Sequence, residues 1–269
     1  MAINIQSASA LTINANYIDA AGAQWSSVGA NAADGRVTFE AAISIWESLI
    51  TTDMIIDVDV SFADFANDGD PSSSPTSVAY HQAQWSCGPC PNPLNLTPDA
   101  SVFSHTIRFD TADLANVFFD QSPTSADDLG SQRIDALSIS LHELGHMLGF
   151  ADDVYIQDYF SPNAYDPWTS LIDGNNVFDP GGLNILMAGS NNLAHIFQGA
   201  NPCSAANIDR NLLMMPGICN GTRILPGATE LSMLRLAYNY DLAPVPVPAA
   251  LPLLLSALGG IVALRRRGG

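Results

Sequence analysis

His142 and His146 lie four residues apart, with Glu143 directly after the first. On a helix, positions i and i+4 stack on one face. Two imidazoles placed there can share one metal ion. Glu143 is rotated about 100° around the helix, yet its carboxylate can reach water at that metal. This is the H-E-x-x-H arrangement, in which the glutamate is a general base and not a ligand. A catalytic zinc site takes three protein ligands and keeps a fourth position open. The pair therefore calls for a third ligand from elsewhere in the chain.

The five-residue pattern alone is weak, but here it runs on. Gly149 follows His146 by three residues and Asp152 follows Gly149 by three. Gly149 lets the chain reverse, so that a residue beyond it can return to the metal. With Asp152 in the last place, this stretch resembles the H-E-x-x-H-x-x-G-x-x-H pattern of the metzincin zinc proteases. The resemblance extends, less specifically, from about Thr38 to Tyr240. It implies an α+β, metzincin-like zincin domain, with a twisted upper sheet, an active-site helix and an irregular lower subdomain. It also implies a methionine turn beneath the ligands.

Two residues compete for the third position. Asp152 stands at the family's spacing, and "NILMAGS" would then supply Met187 as the turn methionine. The alternative is His195, in "NNLAHIFQG", followed by Met214 in the Met-Met-Pro of "NLLMMPG". This second order resembles the leishmanolysin-like branch, where an insertion precedes a distant histidine and Met-x-Pro comes next. Three neutral imidazoles leave zinc its full 2+ charge for acidifying water, which favours His195. Asp152, with Asp153 beside it, also reads as a solvated turn. Met214 would be a packed floor under the ligands.

The four cysteines form two local pairs, as suits disulfides in an exported protein. A Cys203–Cys219 bridge would bracket Met214 and close a loop of about 16 residues, worth about 3 kcal/mol in the chain-entropy model. Cys87 and Cys90, in "WSCGPC", look like a thioredoxin motif with one serine inserted. Pro91 and Pro93 argue against the helix that a redox cysteine needs to lower its pKa. A small structural Cys87–Cys90 disulfide is expected instead.

The chain has 269 residues and a net charge of −18, with no lysine and only four glutamates. With no basic patch before the last few residues, nucleic acid is excluded as a partner. The acidity reads as a solvated surface. Asp57, Asp59, Asp64, Asp68 and Asp70 are candidates for Ca2+, without EF-hand spacing.

The last 26 residues read as a separate unit, 244–269, after a domain spanning 1–243. Val245-Pro246-Val247-Pro248-Ala249, an apolar run to Leu264 and Arg265, Arg266 and Arg267 follow one another. This tail resembles the PEP-CTERM bacterial sorting signals in their Val-Pro-x-Pro-Ala variant. The resemblance implies export, brief anchoring in the inner membrane by a short transmembrane helix, and an exosortase-like partner that cuts and releases the protein to the cell surface or beyond. Such proteins carry an N-terminal signal peptide. The first twenty residues, with no basic start and no long apolar run, do not read as one.

The elements that must position the site are legible in outline. "TFEAAISIWESLI" places Phe39, Ile43, Trp46 and Ile50 on one helical face, with Thr38 as a cap. In "IIDVDVSF", Ile56, Val58, Val60 and Phe62 alternate with Asp57, Asp59 and Ser61, as in a half-buried strand. Residues 68–98 read as a loop, and "HTIRFD" as a strand. Asp135 is an N-cap for the His142 helix, whose core stripe is Leu137, Leu141, Leu144 and Leu148. Gly149 is placed to end it. Residues 152–200 read as an irregular insertion. "TELSMLRLAYNY" reads as a last helix capped by Thr229, with Leu231, Leu234 and Leu236 inward.

The expected activity is that of a zinc endopeptidase acting on protein or peptide substrates. His142, His146 and His195 would hold one Zn2+, and Glu143 would be the base, with Tyr238 or Tyr240 as a candidate hydrogen-bond donor. The alternative is a non-catalytic surface or matrix protein that keeps the fold. His81 and His105 read as ordinary surface or loop histidines.

Overall fold

Alternation in the fourth strand decides how the sheet is laid. Ile56, Val58, Val60 and Phe62 are buried, whereas Asp57 is exposed and Asp59 half-buried. The computed structural model describes residues 10–20, 23–24, 31–68, 77–85, 103–120, 125–150, 168–188, 193–197, 203 and 212–243. Strand β4 (Ile55–Ala63) lies between β1 (Thr12–Tyr17) and β6 (Phe103–Asp110), parallel to both. Strand β5 (Ala79–Trp85) closes the other side antiparallel to β6, giving the order β1-β4-β6-β5. The protein is thus α+β with a mixed sheet. Register keeps like with like. Ile13 pairs with Ile56 and Ala15 with Val58 on the inner face, while Asn14 pairs with Asp57 and Asn16 with Asp59 on the outer. Each asparagine amide donates to its partner carboxylate at 2.9 Å.

Two short pairs, β2 (Asp19–Ala20) with β3 (Ala23–Gln24) and β7 (Val117–Phe118) with β8 (Ile134–Asp135), flank this sheet. The core lies between the inner face and two helices, α1 (Asn31–Leu49) and α2 (Ala136–Met147). Phe39, Ile43 and Trp46 of α1 are buried at the predicted spacing, and so is Ile50 just beyond it. The helix begins earlier than expected, so Thr38 is interior. Its hydroxyl donates to Asp34 O and Asp120 O instead of capping. Trp46 Nε1 donates to Leu141 O at 3.0 Å, locking α1 against α2.

Strand β5 lies inside the segment read as a loop. "AYHQAQW" has too few large apolar residues to announce a strand, and its extended form comes from pairing with β6. The lower part of the chain contributes short turns, a small pair of strands β9 (Val177–Phe178) and β10 (Ile185–Leu186), and a bridge between Met187 and Ile196. The last helix, α3 (Ala228–Tyr238), is capped by Gly227 and not by Thr229. Leu231 and Leu234 are buried as expected, but Leu236 is 42% exposed, being five residues from Leu231 and off its face. Among the described residues no helix is long and apolar enough to cross a membrane. The tail 244–269 lies outside them.

Candidate metal centre

The site starts at the N-terminus of α2. Asp135 caps it as predicted, accepting from the Ser138 N–H at 3.1 Å. Both Asp135 oxygens also accept from Arg223, at 3.0 and 2.8 Å, and Arg223 reaches Asp120 at 2.7 Å. Asp120 and Asp135 are fully buried, so this pairing fixes where the helix begins. Leu137, Leu141, Leu144 and Leu148 are all buried. The far end reverses at Gly149, whose φ of +126° favours glycine. A second reason for glycine is steric. A Cβ there would lie 2.2 Å from the Tyr238 ring. The Tyr238 hydroxyl donates to Gly149 O at 2.7 Å and that of Tyr240 to Leu148 O at 3.0 Å. Both tyrosines therefore brace the turn after α2, which is a different task from the donor role expected of them.

Three imidazoles converge here. His142 Nε2 lies 3.0 Å from His146 Nε2 and 3.2 Å from His195 Nε2. Among the described residues this is the single group of three ligand atoms that could hold a metal ion. Asp152 lies outside the described residues. His142 Nδ1–H donates to Leu213 O at 2.7 Å, and His146 Nδ1–H to Phe150 O at 2.5 Å. With Nδ1 carrying the proton on His142 and His146, the Nε2 atoms of these two rings face each other at 3.0 Å as lone pairs. Such an arrangement is repulsive unless a cation sits among them. A tetrahedral ion with metal–nitrogen bonds of 2.0–2.1 Å holds its nitrogens about 3.3 Å apart, close to what is seen. The residues present fit a metal, and three neutral imidazoles suit a borderline ion such as zinc, copper, iron or nickel.

Electrostatics favour the same state. Burial pushes His142 down to about 4, partly offset by its bond to Leu213. Burial and then His142 push His195 to about 3, and burial holds His146 well below the usual range. All three rings are neutral at neutral pH, as ligands must be. Burial raises Glu143 to about 8, opposed by a hydrogen bond from the His81 backbone. Glu143 thus titrates near neutrality one residue from His142.

No family model matches the chain. No curated protein matches it by sequence either.

Met214, the turn methionine expected if His195 is the third ligand, is fully buried. A Cβ on Gly145 would lie 2.5 Å from its Sδ, so the sulfur packs directly under the helix turn between the two histidines. Met187, also buried, pairs with Ile196 in the ladder next to His195. The Cys203–Cys219 disulfide is formed and brackets Met214. Cys87 and Cys90 lie outside the described residues.

His81 and His105 are not isolated surface histidines. They sit diagonally on β5 and β6, with His81 Nε2 3.1 Å from His105 Nδ1. His105 is buried, and His81 is half-buried beside Glu143. His81 also acts electrostatically on His146, which brings this pair next to the three-histidine cluster. Periodicity hid this pair because β5 was not recognised as a strand. The acidic candidates do not converge. Asp57 and Asp59 hold asparagines, Asp64 caps its own turn, and Asp68 lies 3.8 Å from Arg108. Asp70 lies outside the described residues.

Proposed function

We propose that this chain is a zinc endopeptidase of the metzincin type, with His142, His146 and His195 as ligands and Glu143 as general base. The observation that carries this reading is the convergence of three imidazoles, one buried and two half-buried, beside the helix that bears Glu143. The mixed sheet with an antiparallel outer strand, the reversal at Gly149 and the methionine beneath the helix support a metzincin-like fold.

Zinc bound there would supply Lewis-acid polarisation of water and of the scissile carbonyl. Leu213 O and Phe150 O keep the protons of His142 and His146 on Nδ1, so that both Nε2 atoms stay free to ligate. The Glu143 carboxylate accepts the proton of the attacking water and returns it to the leaving amine nitrogen. The His81 N–H holds the carboxylate towards β5.

On sequence resemblance, the tail 244–269 is a sorting signal of an exported protein, recognised by an exosortase-like enzyme. The deciding experiment compares wild type with Glu143→Ala on an unfolded protein substrate, with zinc content measured on both. Cleavage by wild type alone, with equal zinc in both, is expected. Equal inertness with full zinc would sink the peptidase reading and favour a metal-binding surface or matrix protein.

A further inference from the structure

One buried carboxyl has no place in the chemistry above, yet it is bound to the segment that orients the ligands. Glu230, in the first turn of α3, is fully buried. Its Oε2 accepts from the Gly227 N–H at 3.1 Å, which caps α3. Its Oε1 faces the other way and accepts from the Leu213 N–H at 2.7 Å. Leu213 O in turn accepts the Nδ1 proton of His142 at 2.7 Å. The next carbonyl, Met214 O, accepts from the Ile196 N–H at 2.7 Å, one residue after His195. The Met214 side chain lies under Gly145, between the other two histidines. The Leu213–Met214 turn therefore touches both ends of the cluster, and Glu230 is the side chain that holds it.

We propose that Glu230 is a positioning residue of the metal centre, fixing the Leu213–Met214 turn so that His142 and His195 meet the ion in the correct orientation. This rests on the metal-centre reading, and not on peptidase activity. Partners one shell out from a metal are worth about 10- to 100-fold in affinity. A carboxyl that served α3 alone would need only its Oε2 bond. The Oε1 bond is spent on a residue 17 positions away.

The test is metal binding by the full chain, with Zn2+ and Co2+ as the probes. Glu230→Ala is expected to weaken Zn2+ binding by about 10-fold or more and to alter the visible absorption of the Co2+ form. Glu230→Gln keeps an acceptor for the Leu213 N–H and is expected to restore affinity to within about threefold of wild type. Phe62→Leu, which loosens the core on the sheet side, is expected to lower stability and leave both metal readouts unchanged. A folded Glu230→Ala with wild-type Zn2+ affinity and Co2+ spectrum would overturn the proposal and leave Glu230 as a helix cap. Should Glu230→Ala not fold, Glu230→Asp, whose shorter side chain cannot span both bonds, carries the same expectation and the same refutation. A wild-type protein that binds neither metal would overturn the metal-centre reading along with this one.

Discussion

Gly145 and Met214 occupy one space. A Cβ on the glycine would lie 2.5 Å from the methionine sulfur and 3.3 Å from its terminal methyl. The contact joins the middle of H-E-x-x-H to a residue 69 positions later. Trp46 lies 3.7 Å from the same point, so an added methyl would meet two side chains there.

Gly145→Ala should therefore go against helix propensity. Alanine in a helix interior is favoured over glycine by about 1 kcal/mol. Overpacking costs typically about 1–3 kcal/mol. We expect a lower Tm together with weaker metal binding, since the displaced methionine carries the Leu213 carbonyl with it. A raised Tm with unchanged metal content would show that Met214 repacks freely.

Metal binding should release a proton from a carboxyl. In the metal-free protein Glu143 lies at about 8 and is mostly protonated at pH 7. His142 at about 4 and His195 at about 3 are already neutral. A cation beside Glu143 draws its proton off. Calorimetric titration with Zn2+ in buffers of different ionisation enthalpy should show proton release at pH 7, and less of it in Glu143→Gln. Equal release in both proteins would assign the proton to another group.

The same shifts set how metal-free stability varies with pH. Histidines depressed in the fold contribute stability that is present above about 6.5 and is lost as pH falls towards 4 and below. Glu143, raised in the fold, contributes stability that is present below 4.5 and is lost as pH rises towards 8. Between 4.5 and 6.5 the two effects oppose, and the several histidines outweigh the one carboxyl. Chemical denaturation should show a maximum near pH 6.5 from these groups. Glu143→Gln should flatten the alkaline side, and His195→Ala should soften the acid side. A stability curve flat from pH 4 to 8 would contradict this account.

Arg223 clamps the start of α2 through two fully buried carboxylates. Removing one partner of a buried ion pair costs about 3–5 kcal/mol, because the other charge is left uncompensated. Arg223→Ala should lose that much in denaturant unfolding, with Asp120→Asn costing less because Asp135 still pairs. A loss under 1 kcal/mol in Arg223→Ala would mean that water replaces the guanidinium.

The Cys203–Cys219 bridge spans 16 positions and brackets the methionine turn. Reduction should cost about 3 kcal/mol on the chain-entropy account. It should also weaken metal binding, because the turn that presents Leu213 O is then tied at one side only. Unchanged zinc affinity after reduction would confine the bridge to a role in stability.

The sequence by itself determined the parts of this protein that are periodic. His142, Glu143 and His146 fall on one helix because a helix repeats every 3.6 residues, and Asp135 and Gly149 bound it by their own local chemistry. The alternation of β4 likewise fixes which face is buried. Only the tertiary structure decided what meets that helix. His195 reaches the cluster across 53 residues, and nothing within "NNLAHIFQG" shows where its ring will point. Strand β5 takes its form from β6, and without it His81 and His105 read as unrelated. Glu230 is hidden for the same reason, since its N-cap is a glycine with no side chain to announce a capping box. Local order is written in spacing along the chain. Convergence depends on which surfaces bury each other, and no single segment carries that information.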